Sequence, residues 1–135
     1  MDRLTPQRRS WNMSRIQAKN TKPEIIVRGL LHRMGFRFRL HARGLPGCPD
    51  IVLSRWKTAV LVHGCFWHRH PNCQFAYTPK SRKGFWVPKL EANATRDQQN
   101  VALLRKAGWK PLVVWECEIR DLDRLAKRLK REIQA

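Results

Sequence analysis

The sequence predicts an α/β domain in which a mixed central sheet is flanked by helices. Three observations predict it. A capped amphipathic helix opens the ordered part of the chain, short apolar runs near residues 51, 60 and 113 read as buried strands, and a long helical segment separates the second and third of these runs. At 135 residues the chain is most simply one domain, and its 42% hydrophobic content supports an ordinary core.

Residues 1–20 are basic and polar, with Arg3, Arg8, Arg9, Arg15 and Lys19. They read either as a short helix near Trp11–Ala18 or as an arm that orders on a polyanion. The folded domain is expected over 21–135. Thr21 and Glu24 form a capping-box pattern, Pro23 falls in the first turn and Gly35 stops the helix. Val27, Leu30, Leu31 and Met34 share one face, and Glu24 continues it. Phe36–Leu40 alternates apolar with basic residues and reads as a strand. A Gly/Pro-rich loop over 43–49 leads into apolar runs at 50–53 and 59–63, expected as two central strands. A long helix is expected over Phe85–Ala107, with Gly108 as its stop and Pro88 tolerated only in its first turn. Leu90, Ala94, Val101 and Leu104 mark its inward stripe, on which Asn93 and Asp97 also fall. Pro111–Trp115 reads as a buried strand, and Leu122, Leu125, Leu129 and Ile133 define a final amphipathic helix over 121–134. The expected order is α-β-β-β-α-β-α.

The net charge of +18, from 28 basic and 10 acidic residues, points to a polyanionic partner, most simply nucleic acid. No segment supplies the ~20 apolar residues of a membrane span, and Met1–Leu4 does not open a secretory signal. A cytoplasmic location is expected, where disulfides are rare. The four cysteines then suggest metal rather than bridges. Cys65, His70, Cys73 and Cys117 offer three thiols and one imidazole, which suits one tetrahedral zinc and leaves Cys48 outside the set.

Other residues near this cluster carry chemistry. Asp50 opens one central strand and His63 closes the next, so a hairpin brings them to one edge of the sheet. A carboxylate there can hold Mg²⁺ against a phosphate; taken alone, Asp50 also reads as a turn residue after the Gly/Pro loop. His63 and His68 flank Cys65 and can serve as acid or base near neutral pH, or support the metal site. Glu24 reads as a helix cap that could also orient a histidine or water. Asn93 and Asp97 read as structural polar residues, with Arg96 or Arg105 as partners for Asp97. Phe66–Trp67 and Phe85–Trp86 border a basic loop, where aromatic side chains can wedge between base steps. Trp56, Trp109 and Trp115 read as core.

The strings Leu45-Pro46-Gly47-Cys48-Pro49-Asp50, Val62-His63-Gly64-Cys65-Phe66-Trp67-His68, Arg96-Asp97, Gly108-Trp109 and Val113-Val114-Trp115-Glu116-Cys117 resemble the very short patch repair DNA mismatch endonucleases. The likeness runs over roughly residues 10–120. It implies a restriction-endonuclease-like fold and a Mg²⁺-dependent enzyme that nicks double-stranded DNA 5′ of the thymine in a T:G mismatch left by deamination of 5-methylcytosine. It further implies Asp50 and the Val62 backbone carbonyl as Mg²⁺ ligands. His63 and His68 match the active-site histidines, with His68 nearest the attacking water and Glu24 in support. Cys65, His70, Cys73 and Cys117 match the structural zinc ligands. Phe66, Trp67 and Trp86 match the wedge, and Met13, Lys89 and Asn93 match DNA-facing positions. Val62 stands where the family commonly has threonine, and Leu61-Val62-His63 replaces the ordinary nuclease Glu-x-Lys. The expected particle is a monomer that meets DNA and repair-pathway proteins. A zinc-stabilised nucleic-acid-binding protein without catalysis, or a less selective nicking nuclease, fits the same composition.

Overall fold

The computed structural model describes residues 21–135, so the basic segment 1–20, with Met13, lies outside the described residues. Helix α1 (Lys22–Arg33) begins where Thr21 Oγ1 accepts from the Glu24 N–H and ends at Gly35, whose φ of +95° suits glycine. The strand expected over 36–40 shortens to β1 (Arg39–Leu40), because Phe36 turns into the core beside Trp56 at the end of α1. Strands β2 (Ile51–Leu53) and β3 (Thr58–His63) follow, joined by a short 3₁₀ turn over Ser54–Trp56.

Helix α2 (Lys83–Lys106) starts two residues earlier than its sequence signals suggest. The N–H groups of Phe85 and Trp86 bond to the carbonyl of Arg82, a residue with φ +56°. Pro88 therefore sits past the first turn, contrary to expectation, where its ring meets the carbonyl of residue i−4. That residue is Gly84. Strand β4 (Lys110–Trp115), a 3₁₀ turn over Glu116–Arg120 and helix α3 (Leu122–Ile133) complete the chain.

The strands form one mixed sheet in the order β1-β2-β3-β4. Strands β1, β2 and β3 pair antiparallel, and β4 pairs parallel to β3 with Val62 opposite Val114 and His63 opposite Trp115. Alternation divides the apolar side chains between two faces. Ile51, Leu53, Val60, Leu112 and Val114 meet Val27, Leu30 and Leu31 of α1 and Leu125, Leu129 and Ile133 of α3. Ala59, Leu61 and Val113 meet Val101 and Leu104 of α2 on the other. Burial of each large aliphatic chain contributes roughly 1.5–3 kcal/mol. The greater part of this core therefore lies on the α1/α3 face, leaving much of α2 open. No helix among the described residues is long and apolar enough to cross a membrane.

Lys110 ties the end of α3 to β4. Its Nζ donates to the carbonyls of Glu132 and Ile133 at 2.5 and 3.1 Å, satisfying acceptors that a helix C-terminus leaves open. Lys110→Met should destabilise the fold by about 1–2 kcal/mol, read as a lower urea midpoint with unchanged m-value.

Candidate active site and adjoining metal centre

A cleft of about 1040 Å³ opens where β2 begins and β3 ends. Glu24, Asp50, Val62, His63, Phe66, Trp67, His68, Lys89, Asn93 and Asp97 all line it. The antiparallel register puts Ile51 opposite Val60, so Asp50 reaches the last residues of β3. Its Oδ2 accepts the Val62 N–H at 2.7 Å. Burial pushes the Asp50 carboxyl up from 3.8 to about 6; the Val62 N–H works against this, and the nearby Glu24 adds to it.

Glu24 is only 2% exposed. Besides its place in the first turn of α1, it receives Nε2 of His41 at 2.5 Å and lies 3.7 Å from the Arg28 guanidinium. Its carboxylate thus does more than complement the helix dipole. Ligating atoms of Glu24, His41 and Asp50 lie within 4.8 Å of one another. His41 did not stand out in the sequence, where it follows an alternating strand and carries no motif.

The second group is histidine-based. His63 and His68 stack with centroids 4.0 Å apart and planes 6° from parallel. His68 Nδ1 donates to Asp97 Oδ2 at 2.5 Å, leaving Nε2 as its second ring nitrogen. Asp97 therefore pairs with His68 rather than with Arg96 or Arg105, a role missed by the structural reading of its stripe. Burial, reinforced by His68, pulls His63 down from 6.5 to about 4, so its ring is neutral at neutral pH. His63 Nδ1 is buried without a hydrogen-bond partner among the described residues.

After β3 the chain coils back on itself. His68 N–H bonds to the Gly64 carbonyl and His70 N–H to that of Cys65, while Arg69 and Asn72 adopt left-handed backbone. This turn brings Cys65, His70 and Cys73 to Cys117, which follows β4, with donor atoms within 4.8 Å of one another. Sγ of Cys117 lies 3.5 Å from Nδ1 of His70. The sulfur–nitrogen edge of a tetrahedral zinc site is about 3.6 Å given ordinary bond lengths, so this donor set fits that ion. His68 points away to Asp97, and Cys48 is exposed and apart from the cluster. Burial pushes the Cys65 thiol up to about 12. At Cys73 burial acts in the same sense, but the N–H groups of Phe75 and Ala76 and the neighbouring thiols outweigh it and hold that thiol below its usual range.

Trp115, expected in the core, stacks on His70 at 4.1 Å and meets His63 edge-on at 5.2 Å. One ring thus separates the cysteine cluster from the stacked histidines. Glu118 accepts the Trp115 N–H and is gripped by Arg128 at 2.7–2.8 Å, which fixes the turn carrying Cys117. Phe66, Trp67 and Trp86 form one aromatic cluster with centroids 5.1–5.9 Å apart, joined by Tyr77 and Phe85. Lys89 Nζ lies over Trp67 at 5.7 Å, and Asn93 donates to the Trp67 carbonyl at 3.2 Å.

Residues 1–74 match the DNA mismatch endonuclease Vsr family. The chain is 51% identical to the type II nicking enzyme V.XorIIP of Xanthomonas oryzae pv. oryzae, covering 96% of this chain and 94% of that one. It is 44% identical to the type II nicking enzyme V.NmeAIP of Neisseria meningitidis, over 98% and 94% of the two chains. It is 38% identical to the DNA mismatch endonuclease Vsr of Escherichia coli K12, over 87% and 74%. The catalytic domain of the homing endonuclease I-Bth0305I shares the fold with a TM-score of 0.56 at 20% identity, over 83% of this chain and 93% of that domain. Fold, cleft and relatives define the chain as a DNA endonuclease, a hydrolase of phosphodiester bonds. It belongs to the DNA mismatch endonuclease Vsr family.

The two perturbed groups should act on stability in opposite senses. Asp50, raised in the folded state, contributes stability at low pH that is lost as pH rises from 3.8 through about 6. His63, lowered in the folded state, contributes stability at high pH that is lost as pH falls from 6.5 through about 4. Between pH 6.5 and 4.5, urea unfolding of Asp50→Asn should therefore weaken on acidification relative to wild type, and His63→Phe should strengthen relative to it. Each difference should be on the order of 2 kcal/mol.

Proposed function

We propose that the protein is a Mg²⁺-dependent, strand-nicking endonuclease for T:G mismatches in DNA, built on a restriction-endonuclease-like fold. The observation that carries this reading is the meeting, in one cleft, of the buried Asp50 carboxylate, the Asp97-bound His68 and the Phe66–Trp67 pair. Asp50 and the Val62 carbonyl are the Mg²⁺ ligands. An ion held by them would supply polarisation of the scissile phosphate and stabilisation of the leaving oxyanion.

Asp97 holds the His68 ring by its Nδ1 edge, so Nε2 is the nitrogen that takes a proton from the attacking water. His63 is neutral and stacked on His68, so it serves as a fixed hydrogen-bonding and packing partner at the phosphate rather than a second cation. Glu24 supports the metal end of the cleft. Phe66, Trp67 and Trp86 enter the base stack, with Lys89 and Asn93 beside them. Opening the stack costs less at a mismatch than at a paired step, which favours T:G sites. The high positive charge holds the backbone and makes binding salt-dependent. Cys65, His70, Cys73 and Cys117 hold a structural zinc with no ligand position left over.

The direct test uses a labelled T:G duplex and its fully paired counterpart. Wild type should nick the thymine strand of the mismatched duplex with Mg²⁺, while Asp50→Asn should bind it and leave it intact. Binding without nicking by wild type in both Mg²⁺ and Mn²⁺ would return the protein to a binding module, and equal nicking of both duplexes would make it a less selective nuclease. Because metal competes with the proton on Asp50, the acid limb of the rate profile should lie near pH 6 at low Mg²⁺ and move lower as Mg²⁺ rises.

For zinc, elemental analysis should find one ion per wild-type chain. Cys117→Ser should lose most of it and melt several degrees lower. Full zinc occupancy in that variant would remove Cys117 from the ligand set.

A further inference from the structure

His41 stands at the end of β1 with φ +50°, outside every motif of the chain. Its N–H bonds to the Asp50 carbonyl at 3.0 Å, which extends the β1–β2 ladder by one contact beyond Leu40 and Ile51. The backbone of His41 is thus fixed to the residue that carries the carboxylate of the cleft. Its ring reaches the other way along the site, with Nε2 donating to Glu24 Oε1 at 2.5 Å. One residue of a loop therefore joins the first turn of α1, through its ring, to the start of β2, through its backbone.

Two carboxylates sit side by side here, and their mutual repulsion raises the cost of keeping both charged. The His41 ring and the Arg28 guanidinium both face Glu24, the ring at a hydrogen-bond distance of 2.5 Å and Arg28 at 3.7 Å. Histidine is also among the few non-glycine residues that accept left-handed backbone readily. Backbone and ring at this position therefore serve the same placement.

We propose that His41 is a positioning residue that holds Glu24 beside Asp50 and thereby sets how tightly this end of the cleft takes a divalent cation. The proposal rests on the metal-dependent reading of the cleft given above. His41 touches neither water nor phosphate in this role and acts through the Glu24 carboxylate.

The experiment uses the full-length, zinc-loaded protein and two measurements. Mn²⁺ alone is titrated by the loss of its free electron-paramagnetic-resonance signal, and Mg²⁺ is titrated in the T:G nicking assay. His41→Asn tolerates the left-handed backbone but is too short to reach Glu24. It should weaken Mn²⁺ binding about 10- to 100-fold, and raise the Mg²⁺ needed for half-maximal nicking to match, with most of kcat retained at saturating metal. His41→Gln places an N–H donor near the original Nε2 and should restore both. Because His41 acts through Glu24, the double variant His41→Asn/Glu24→Gln should bind no worse than Glu24→Gln alone. Wild-type metal affinity in His41→Asn, absence of rescue by glutamine, or losses that multiply in the double variant would each overturn the proposal. Thermal melts run alongside, and if asparagine lowers Tm, metal affinity in His41→Gln decides the matter, wild-type values supporting the proposal and weakened binding at an unchanged Tm overturning it. Asp50→Asn separates the two readings. Normal metal binding and nicking by that variant would defeat the metal-dependent site itself, whereas an inert Asp50→Asn beside an unaffected His41→Asn would defeat only the role of His41.

Discussion

The parallel pairing of β3 with β4 is the constraint on which the site depends. Parallel neighbours run their C-terminal ends to the same edge of the sheet, and the connection between them must cross the full length of a strand. Here that edge receives His63 from β3 and Trp115 from β4, directly opposite one another. The segments that continue from these two residues carry Cys65, His68, His70 and Cys73 on one side and Cys117 on the other. The crossover itself includes α2, which delivers Asn93 and Asp97 to the same edge. One pairing thus gathers the cysteine cluster, the stacked histidines and their carboxylate partner. The antiparallel β2 adds Asp50 from the opposite side of β3, at the cost of a single bond between Asp50 Oδ2 and the Val62 N–H.

Charge is distributed against the trend of the whole chain. The protein is strongly basic, yet the cleft contains the buried or half-buried carboxyls of Glu24, Asp50 and Asp97. Each has a specific neighbour: His41 for Glu24, the Val62 N–H for Asp50 and His68 for Asp97. Ionised carboxyls withdrawn from water are retained in a fold only with such partners. An acidic spot in a basic surface also suits a polyanion bound through a cation. The outer field draws in a phosphate backbone, and a small negative pocket is the place within it that would favour a cation.

Much of this was legible in the sequence, and the limits have physical causes. Helix α1 and the strands β2, β3 and β4 followed from periodicity, caps and Gly35 or Gly108, since those signals are local. The cysteine quartet was legible because thiol and imidazole spacing reports metal chemistry directly, and the structure brings those four side chains together. The partner of Asp97 was not legible. His68 lies 29 residues away on another element, whereas Arg96 and Arg105 are near in sequence. His41 was hidden for a similar reason, its contact with Glu24 spanning the turn from α1 into the sheet. The misplaced start of α2 came from treating Pro88 as a first-turn marker. Pro88 instead lies inside the helix, past its first turn.

Trp115 shows how the two halves of the site become one mechanical unit. A ring between a metal-type cluster and a catalytic-type histidine pair could be only filler. Here it stacks on His70 and meets His63 edge-on, and the Trp115 backbone N–H donates to Glu118, which Arg128 anchors to α3. The donors of the cysteine cluster converge within 4.8 Å of one another, which joins the loop after β3 to the turn after β4. The histidine pair, by contrast, lines an open cleft. Rigidity is therefore built on the closed side and passed through one indole to the open side. The aromatic pair Phe66–Trp67 lies in the chain between Cys65 and His68, so it belongs to the same braced segment as the histidine pair.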